Sequence, residues 1–317
     1  MSEVSVIIPA HNAAISIGDV LASLVPDHTL IGEIIVVDDR CSDGTSDRAR
    51  DAAEKLGLPL EVHSVNAGSA GAARNAGINR AKRPLVYFID ADDHLVPGGL
   101  GRLMKAIESG AGLAIGTSVR KAAGQEDLIR VPAGYCGDPQ DNADLYLLNG
   151  APPISMGSGL VRAETLAGIR FPENIAIDED TWFWSALLAT TALAVTTEPV
   201  LHYHLDDQRT ARRYLVDPRR SWLAICTEFR RLQDYGISHD VLKWRRAWIA
   251  QRFARQLIKS GRHEDATSML RPVRAHPATA REWRTTRYRF LSKFGRTFGP
   301  NRGINRTPKE GVDNPAR

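Results

Sequence analysis

Between Leu85 and Pro97 the chain reads LVYFIDADDHLVP, an apolar run that ends in three carboxylates, Asp90, Asp92 and Asp93. Leu85 to Ile89 has the continuous apolar character of a strand covered on both faces, so the strand is expected to stop at Asp90 and deliver the acids to a loop. Three acids in four positions repel one another, and carboxylates are rarely left buried without a partner. A positive charge from outside the local sequence is needed, and a divalent metal is the simplest candidate. Two further acidic groups have a similar look. IIVVDDRCSDGT (Ile34 to Thr45) ends an apolar run in Asp38 and Asp39. FPENIAIDEDTWFW (Phe171 to Trp184) places an acidic cluster at the start of an apolar helix, where the dipole favours negative charge. Taken singly, each group is as readily a cap or a turn.

The elements that must position these groups alternate. Val4–Ile8, Glu33–Val37, Leu60–Val65 and Leu85–Ile89 read as strands, with helical patterns at about residues 14–24, 45–56 and 71–80. That order predicts an α/β sheet with right-handed crossovers, whose carboxyl ends line a ligand crevice. The polar loops PAHN, DDRCSDGT and DADDH all fall at such ends. Beyond Leu100 a helix to about Ser109 and a strand Gly112–Gly116 lead into a polar stretch, Lys121–Asp144, expected to be a mobile loop. Residues 185–197 read as a core helix running into a strand.

The 317 residues, 43% of them apolar, suit one large domain or a domain with an appendage. Met1 to Ala10 lacks the basic region of a secretory leader, and no apolar run approaches the roughly 20 residues of a spanning helix. Cys41, Cys136 and Cys226 have no paired spacing, and their odd number argues against a disulfide framework. A reducing, cytoplasmic setting is expected. The net charge of +4 conceals an asymmetry: up to Gln208 there are 15 basic and 28 acidic residues, and from Arg209 onward 26 basic and 9 acidic. The two parts should therefore have different partners.

SVIIPAHN (Ser5 to Asn12), IIVVDDRCSDGT, NAGSAGAARNAGI (Asn66 to Ile78) and FIDADD (Phe88 to Asp93) together resemble glycosyltransferase family 2, with IDEDTWFW as a fifth element. The resemblance spans roughly residues 3–210. It implies a GT-A, Rossmann-like fold: a mixed, mainly parallel sheet flanked by helices, here with a mainly helical, basic C-terminal extension. The domains expected are 1–210 (catalytic), 211–298 (helical, basic) and 299–317 (a disordered tail). It further implies a metal-dependent, inverting transfer of a sugar from a nucleoside diphosphate, UDP being the first choice, to an acceptor hydroxyl in cell-surface glycan assembly.

On this resemblance Pro9, Ala10 and Asn12 shape the base pocket and Asp39 accepts the uracil N3–H. Asp38 buttresses that loop or meets the ribose. Asn66 and Arg74 contact the nucleotide and its phosphates, an arginine fork suiting phosphate oxygens, while Gly68 and Gly71 allow close backbone approach. Asp90-Ala91-Asp92 matches the Asp-X-Asp motif: Asp90 faces the ribose or an arginine, and Asp92 binds Mn²⁺ or Mg²⁺ bridging the diphosphate. His204 is a candidate second ligand, the alternative being that His202 and His204 are structural. Asp180 is the expected catalytic base, and Glu179 binds the acceptor or positions the helix. Trp182 and Trp184 read as core, with a sugar platform as the alternative. This chain has Arg40-Cys41 where the family commonly has Gly-Ser, His11 in place of a common Tyr, and Tyr203-His204 in place of a frequent Tyr-Arg pair.

KWRRAWIAQRFARQLIK (Lys243 to Lys259) and REWRTTRYRFLSKFGRTF (Arg281 to Phe298) carry aromatic and apolar residues at helical spacing among arginines and lysines. They suit either packing on the catalytic domain or an interfacial helix on anionic lipid, at the inner face of the membrane beside a lipid-linked or other glycan acceptor. Nucleic acid is not the expected partner, since no nucleic-acid motif accompanies the charge. Two other functions fit less of the sequence. A sugar-1-phosphate nucleotidyltransferase needs a Gly-rich phosphate loop where PAHNAAISIG stands. A non-catalytic membrane or nucleic-acid adaptor has no need of Asp39, Asp92 and Asp180 together.

Overall fold

The computed structural model describes residues 3–122, 124–204 and 214–272. Strands β1 (Val4–Ala10), β2 (Ile31–Asp39), β3 (Leu60–Val65) and β4 (Leu85–Phe88) are parallel and lie in the order β3-β2-β1-β4. Helices α1 (Ile17–Leu24), α2 (Thr45–Leu56) and α3 (Ala70–Ile78) connect them. The continuous apolar runs follow from coverage on both faces. Val6, Ile8 and Val36 join Ile17, Leu21 and Ala49 in one buried core. Ile7, pointing the other way, meets α3 so closely that a Cβ on Gly77 would lie 2.4 Å from its Cγ2. Since β1 lies between β2 and β4, the strand order reverses there, which opens a crevice outside the carboxyl ends of those strands.

The second half makes the sheet mixed. Strand β8 (Gly159–Arg162) is antiparallel to both β4 and β6 (Leu113–Lys121), and β9 (Leu193–His204) runs parallel to β6. The short β5 (His94–Leu95) closes the order on β9, with His94 opposite His202. Helix α4 (Gly99–Ile107) starts where buried Asp27 accepts the amides of Gly98 and Gly101, at 2.8 and 3.2 Å. Among the described residues the sheet has nine strands, and the expected α/β, mainly parallel character holds for its first half.

The polar stretch Lys121–Asp144 is more ordered than its composition suggests. It holds β7 (Leu128–Arg130), antiparallel on β6, and the first turns of α5 (Pro139–Leu147). Asp138 caps α5 by accepting the Asp141 amide at 3.0 Å, and Pro139 occupies the first helical position, where no backbone N–H is needed. That Asp-Pro start signal lies inside a run of polar residues that masks it.

Helix α6 (Glu179–Thr190) is buried almost all round, as its composition requires. Trp182 and Trp184 are 3% and 0% exposed, so both are core residues and neither is a platform for a sugar. The Trp182 indole donates to the Glu228 carbonyl at 3.0 Å, tying α6 to the helix Pro218–Arg230. A Cβ on Gly159 would come within 2.6 Å of the Trp184 ring.

The chain divides into two compact units, Met1–Ile249 and Ala250–Arg317, the second described as far as residue 272. In the first unit, Val241, Leu242, Trp244 and Ile249 are buried, and Arg245 donates to the Asn149 side chain at 3.1 Å. The front of the Lys243–Lys259 stretch is therefore engaged in packing, the first of its two expected uses. The second unit contains the end of the helix His239–Lys259 and the helix His263–Leu270. The Arg281–Phe298 stretch and the expected tail 299–317 lie outside the described residues. No described helix is long and apolar enough to cross a membrane.

Candidate active site

The loops after β1 and β2 are laced together by side chains. Asn12, held at φ +52°, accepts the Ser42 amide at 2.9 Å, and Asp43 accepts the Ala14 amide at 2.9 Å. Asp38 accepts the Cys41 amide at 2.8 Å and the Ser46 hydroxyl. Burial works against its charge, but those hydrogen bonds win and hold its pKa below the usual carboxylate value. Asp38 is thus a buttress of this loop.

Asp39 reaches across to the third loop. Its carboxylate accepts the Ala67 amide at 2.9 Å and the Gly68 amide at 3.0 Å, and its backbone carbonyl pairs with His11 Nδ1 at 2.7 Å. Gly68 adopts φ +77°, a conformation that favours glycine. These bonds give Asp39 a loop-clamping role that its motif did not announce. Arg40, the departure from the family pattern, lies along the same carboxylate at 3.2 Å. Pro9 is half-buried and Ala10 buried, in register with Val37 and Asp38, and Asn66 stands exposed just beyond β3.

The decisive contact is at Arg74. This arginine is 3% exposed; Nη2 donates to Asp90 at 2.7 Å and Nη1 to Glu179 at 3.3 Å, while the guanidinium lies 5.3 Å from the Phe171 ring centre. Its pKa is raised: burial opposes the charge, but Asp90, Glu179 and Asp180 outweigh it. Both forks are engaged by carboxylates, so Arg74 supplies a positive charge of the kind the first acidic loop called for. Ala91, beside the pair, presents its carbonyl to Ser16 Oγ at 2.6 Å, which anchors the loop to α1.

Two neighbours hold the 171–180 segment against α3. Asn75 donates to the Phe171 carbonyl (2.9 Å) and to Glu173 (2.8 Å) and accepts the Phe171 amide (2.9 Å). A Cβ on Gly71 would meet the Pro172 carbonyl at 2.7 Å. Within the chain, the close approach that Gly71 permits is to this segment. Asn75 was not singled out from the sequence, although it sits beside Arg74 in a helix of small residues, a pattern that goes with tight packing.

Asp180, in the first turn of α6, is half-buried, and its Oδ1 accepts its neighbour's Thr181 amide at 2.6 Å. Burial, then Glu179 and Asp178, push its pKa up to about 7, against the pull of Arg74. A carboxylate with that affinity and an open edge is suited to take a proton near neutral pH.

Asp93 is 1% exposed; one oxygen accepts the His204 amide at 2.8 Å and the other has no hydrogen-bond partner among the described residues. Burial and then Asp90 raise its pKa well above the usual value. His204 lies edge-on to His94 at 4.7 Å, and its Nδ1 is buried without a hydrogen-bond partner among the described residues. Burial first, then nearby cationic groups, lowers the pKa of His94 and His202, which favours neutral imidazoles. No described group of three or more His, Cys, Asp or Glu forms a ready cage for a metal. Mn²⁺ and Mg²⁺ in nucleotide sites need only one or two carboxylates, substrate phosphates completing the shell. A half-buried Asp92, and a His204 tied to the same loop through Asp93, fit that requirement.

With this geometry in hand, the comparisons are specific. Residues 5–155 match the model of "Glycosyl transferase family 2". These residues belong to glycosyl transferase family 2. Among curated family members, "Succinoglycan biosynthesis protein ExoU" of Rhizobium meliloti is 38% identical over 104 residues, 32% of this chain and 30% of that protein. "Poly(ribitol-phosphate) beta-N-acetylglucosaminyltransferase TarS" of Staphylococcus aureus is 32% identical over 97 residues, 30% of this chain and 17% of TarS. The matched segment spans under a third of either relative's length. In fold the likeness is broader: a TarS structure in complex with UDP-GlcNAc superposes with TM-score 0.66 at 17% identity, covering 98% of this chain and 100% of that one. The family 2 chain thus has the GT-A fold expected of it.

Proposed function

We propose that this family 2 protein is a metal-dependent, inverting glycosyltransferase that moves a sugar from a UDP-sugar to an acceptor hydroxyl in cell-surface glycan assembly. The observation that carries the proposal is a buried cation, Arg74, joined both to Asp90 of the Asp-X-Asp loop and to Glu179 beside the candidate base. In this reading a donor-holding loop and a proton acceptor share one crevice, as a direct displacement requires. The names of ExoU and TarS support the surface-polymer setting, and the UDP-GlcNAc bound to TarS supports a uridine donor.

In this reading Asp180 takes the proton of the acceptor hydroxyl as it attacks the anomeric carbon, and Glu179, pinned by Arg74, fixes the first turn of α6. The laced loops of Asn12, Asp38 and Asp39 form the wall against which the base and ribose lie. Mn²⁺ or Mg²⁺, held by Asp92 with His204 as a second ligand, would neutralise the charge on the leaving diphosphate. Residues 1–210 are taken as the catalytic unit and 211–298 as a basic helical region. We place the enzyme in the cytoplasm, at the inner membrane face where a lipid-linked or other glycan acceptor is available.

Calorimetric titration with UDP, GDP and dTDP, each with Mn²⁺ and with EDTA, tests the proposal. UDP should bind with Mn²⁺ and far more weakly with EDTA. Asp92→Ala should lose the metal-dependent part of the UDP affinity, a fall of about tenfold or more, each tenfold being about 1.4 kcal/mol. Equal UDP affinity with and without metal in the wild type would overturn the metal role, and no affinity for any of the three nucleotides would overturn the donor assignment.

A further inference from the structure

The helix Pro218–Arg230 has two unlike faces. Trp222, Ile225, Cys226 and Phe229 are buried, and Glu228 accepts the Trp182 indole on its carbonyl at 3.0 Å and the Asn174 side-chain amide on its carboxylate at 2.8 Å. The inner side is thus fastened to the first turn of α6, where Trp182 stands two residues after Asp180. The outer side carries Arg219, Arg220, Leu223, Thr227 and Arg230, all exposed. At 3.6 residues per turn, Arg219, Leu223 and Arg230 form one row and Arg220 and Thr227 the next, so the five make one continuous face.

The described residues leave the charge of this face largely unbalanced. Arg219, Arg220 and Arg230 form no ion pair with a described residue, whereas Arg231, on the flank, is bound to Glu228 at 2.9 Å. Asp217 is spent on capping the helix, accepting the Arg220 amide at 3.3 Å. Arg246 adds a further cation along the Trp222 edge, its guanidinium 6.0 Å from that ring centre. Two aliphatic side chains stand among the arginines: Leu223 is 49% exposed, and Val216, just before the helix, 71%. Aliphatic groups held in water beside guanidinium groups suit a bilayer with anionic headgroups, the former entering at the acyl boundary while the latter stay at the phosphates. A nucleic acid would match the charge, but the face offers no aromatic ring on which a base could stack.

We propose that the outer face of the helix Pro218–Arg230 docks on an anionic lipid bilayer, with Arg219, Arg220 and Arg230 at the headgroup phosphates and Leu223 and Val216 beneath them. The bilayer surface then lies one helix diameter, about 10 Å, behind the first turn of α6. The lipid contact is a property of the face itself. Its purpose, bringing the base helix to an acceptor held in the membrane, rests on the transferase reading.

Sedimentation of the full chain with phosphatidylcholine vesicles, with and without phosphatidylglycerol, tests the proposal. At low salt the wild type should bind the anionic vesicles and not the neutral ones. Replacing the three arginines together (Arg219→Gln, Arg220→Gln, Arg230→Gln) should weaken that binding about a hundredfold, each charge near the surface contributing about fivefold. The same three changes to lysine should leave it within about twofold of wild type. Leu223→Ser should weaken binding about fivefold without altering its salt dependence, which separates insertion from charge. UDP affinity and the urea midpoint should keep their wild-type values, since these side chains are exposed and lie outside the loops of the crevice. Equal binding of wild type and the glutamine variant to anionic vesicles, or no binding by wild type, overturns the docking face. So does a wild type that ignores vesicles and binds a mixed-sequence oligonucleotide through these arginines. Vesicle binding lost in the glutamine variant, by a protein that fails to bind UDP, upholds the docking face and strikes the transferase reading instead.

Discussion

Asp180→Asn is expected to bind UDP as the wild type does and to lose about 10²–10⁴-fold in kcat, the usual contribution of a positioned base. The amide keeps the size and the bond to the Thr181 amide but cannot accept the acceptor's proton. In the wild type the pH profile should carry the signature of this group. Burial and the neighbouring Glu179 and Asp178 bring its pKa up to about 7, and the ionised form is the active one, so kcat should rise with pH through about 7 and then level off. In Asp180→Asn that inflection should vanish from the residual rate. The same shift predicts the sign of the effect on stability. The folded chain holds this proton up to about pH 7 while an unfolded carboxyl releases it near 3.8, so between these values stability falls as pH rises. Stopped assays of sugar transfer across pH 5 to 9 would check the profile; a flat wild-type profile would remove Asp180 from the role.

Arg74→Met should be the most damaging single change to the structure of the site. It leaves Asp90 and the buried Glu179 without their shared cation, and breaking a buried ion pair by removing one partner costs about 3–5 kcal/mol. The loss should appear as a lower urea midpoint with little change in slope. Arg74→Lys keeps the charge but cannot fork to two carboxylates across Phe171, so it should recover part of the stability and little of the turnover. A midpoint for Arg74→Met within about 0.5 kcal/mol of wild type would show that the two ion pairs contribute nothing net.

Most of the framework was legible because it is encoded locally. The runs at Val4–Ile8 and Leu85–Ile89 carry the strands, and the acids that follow them fall at the carboxyl ends where the crevice opens. The sequence also demanded a cation for Asp90 without identifying it. Arg74 lies 16 residues away in a helix and Glu179 a further 105 from it, and nothing local declares a pairing made by the fold. The same holds for Asp39, whose clamp on Ala67 and Gly68 is long-range, and for Gly71, whose partner is the Pro172 carbonyl. Trp182 and Trp184 were ambiguous for another reason: aromatic residues serve sugars and cores alike, and only burial separates the two uses.

The bridge through Arg74 also has a thermodynamic consequence. One guanidinium serves the donor loop and the base helix, so any ligand that draws Asp90 into its own coordination leaves Arg74 to pair more fully with Glu179 and changes the field at Asp180. Free energy is then exchanged between the two halves of the crevice, and the exchange is reciprocal. Whatever factor UDP adds to the affinity for the acceptor, the acceptor must add to the affinity for UDP, and Arg74→Met should bring that common factor towards one.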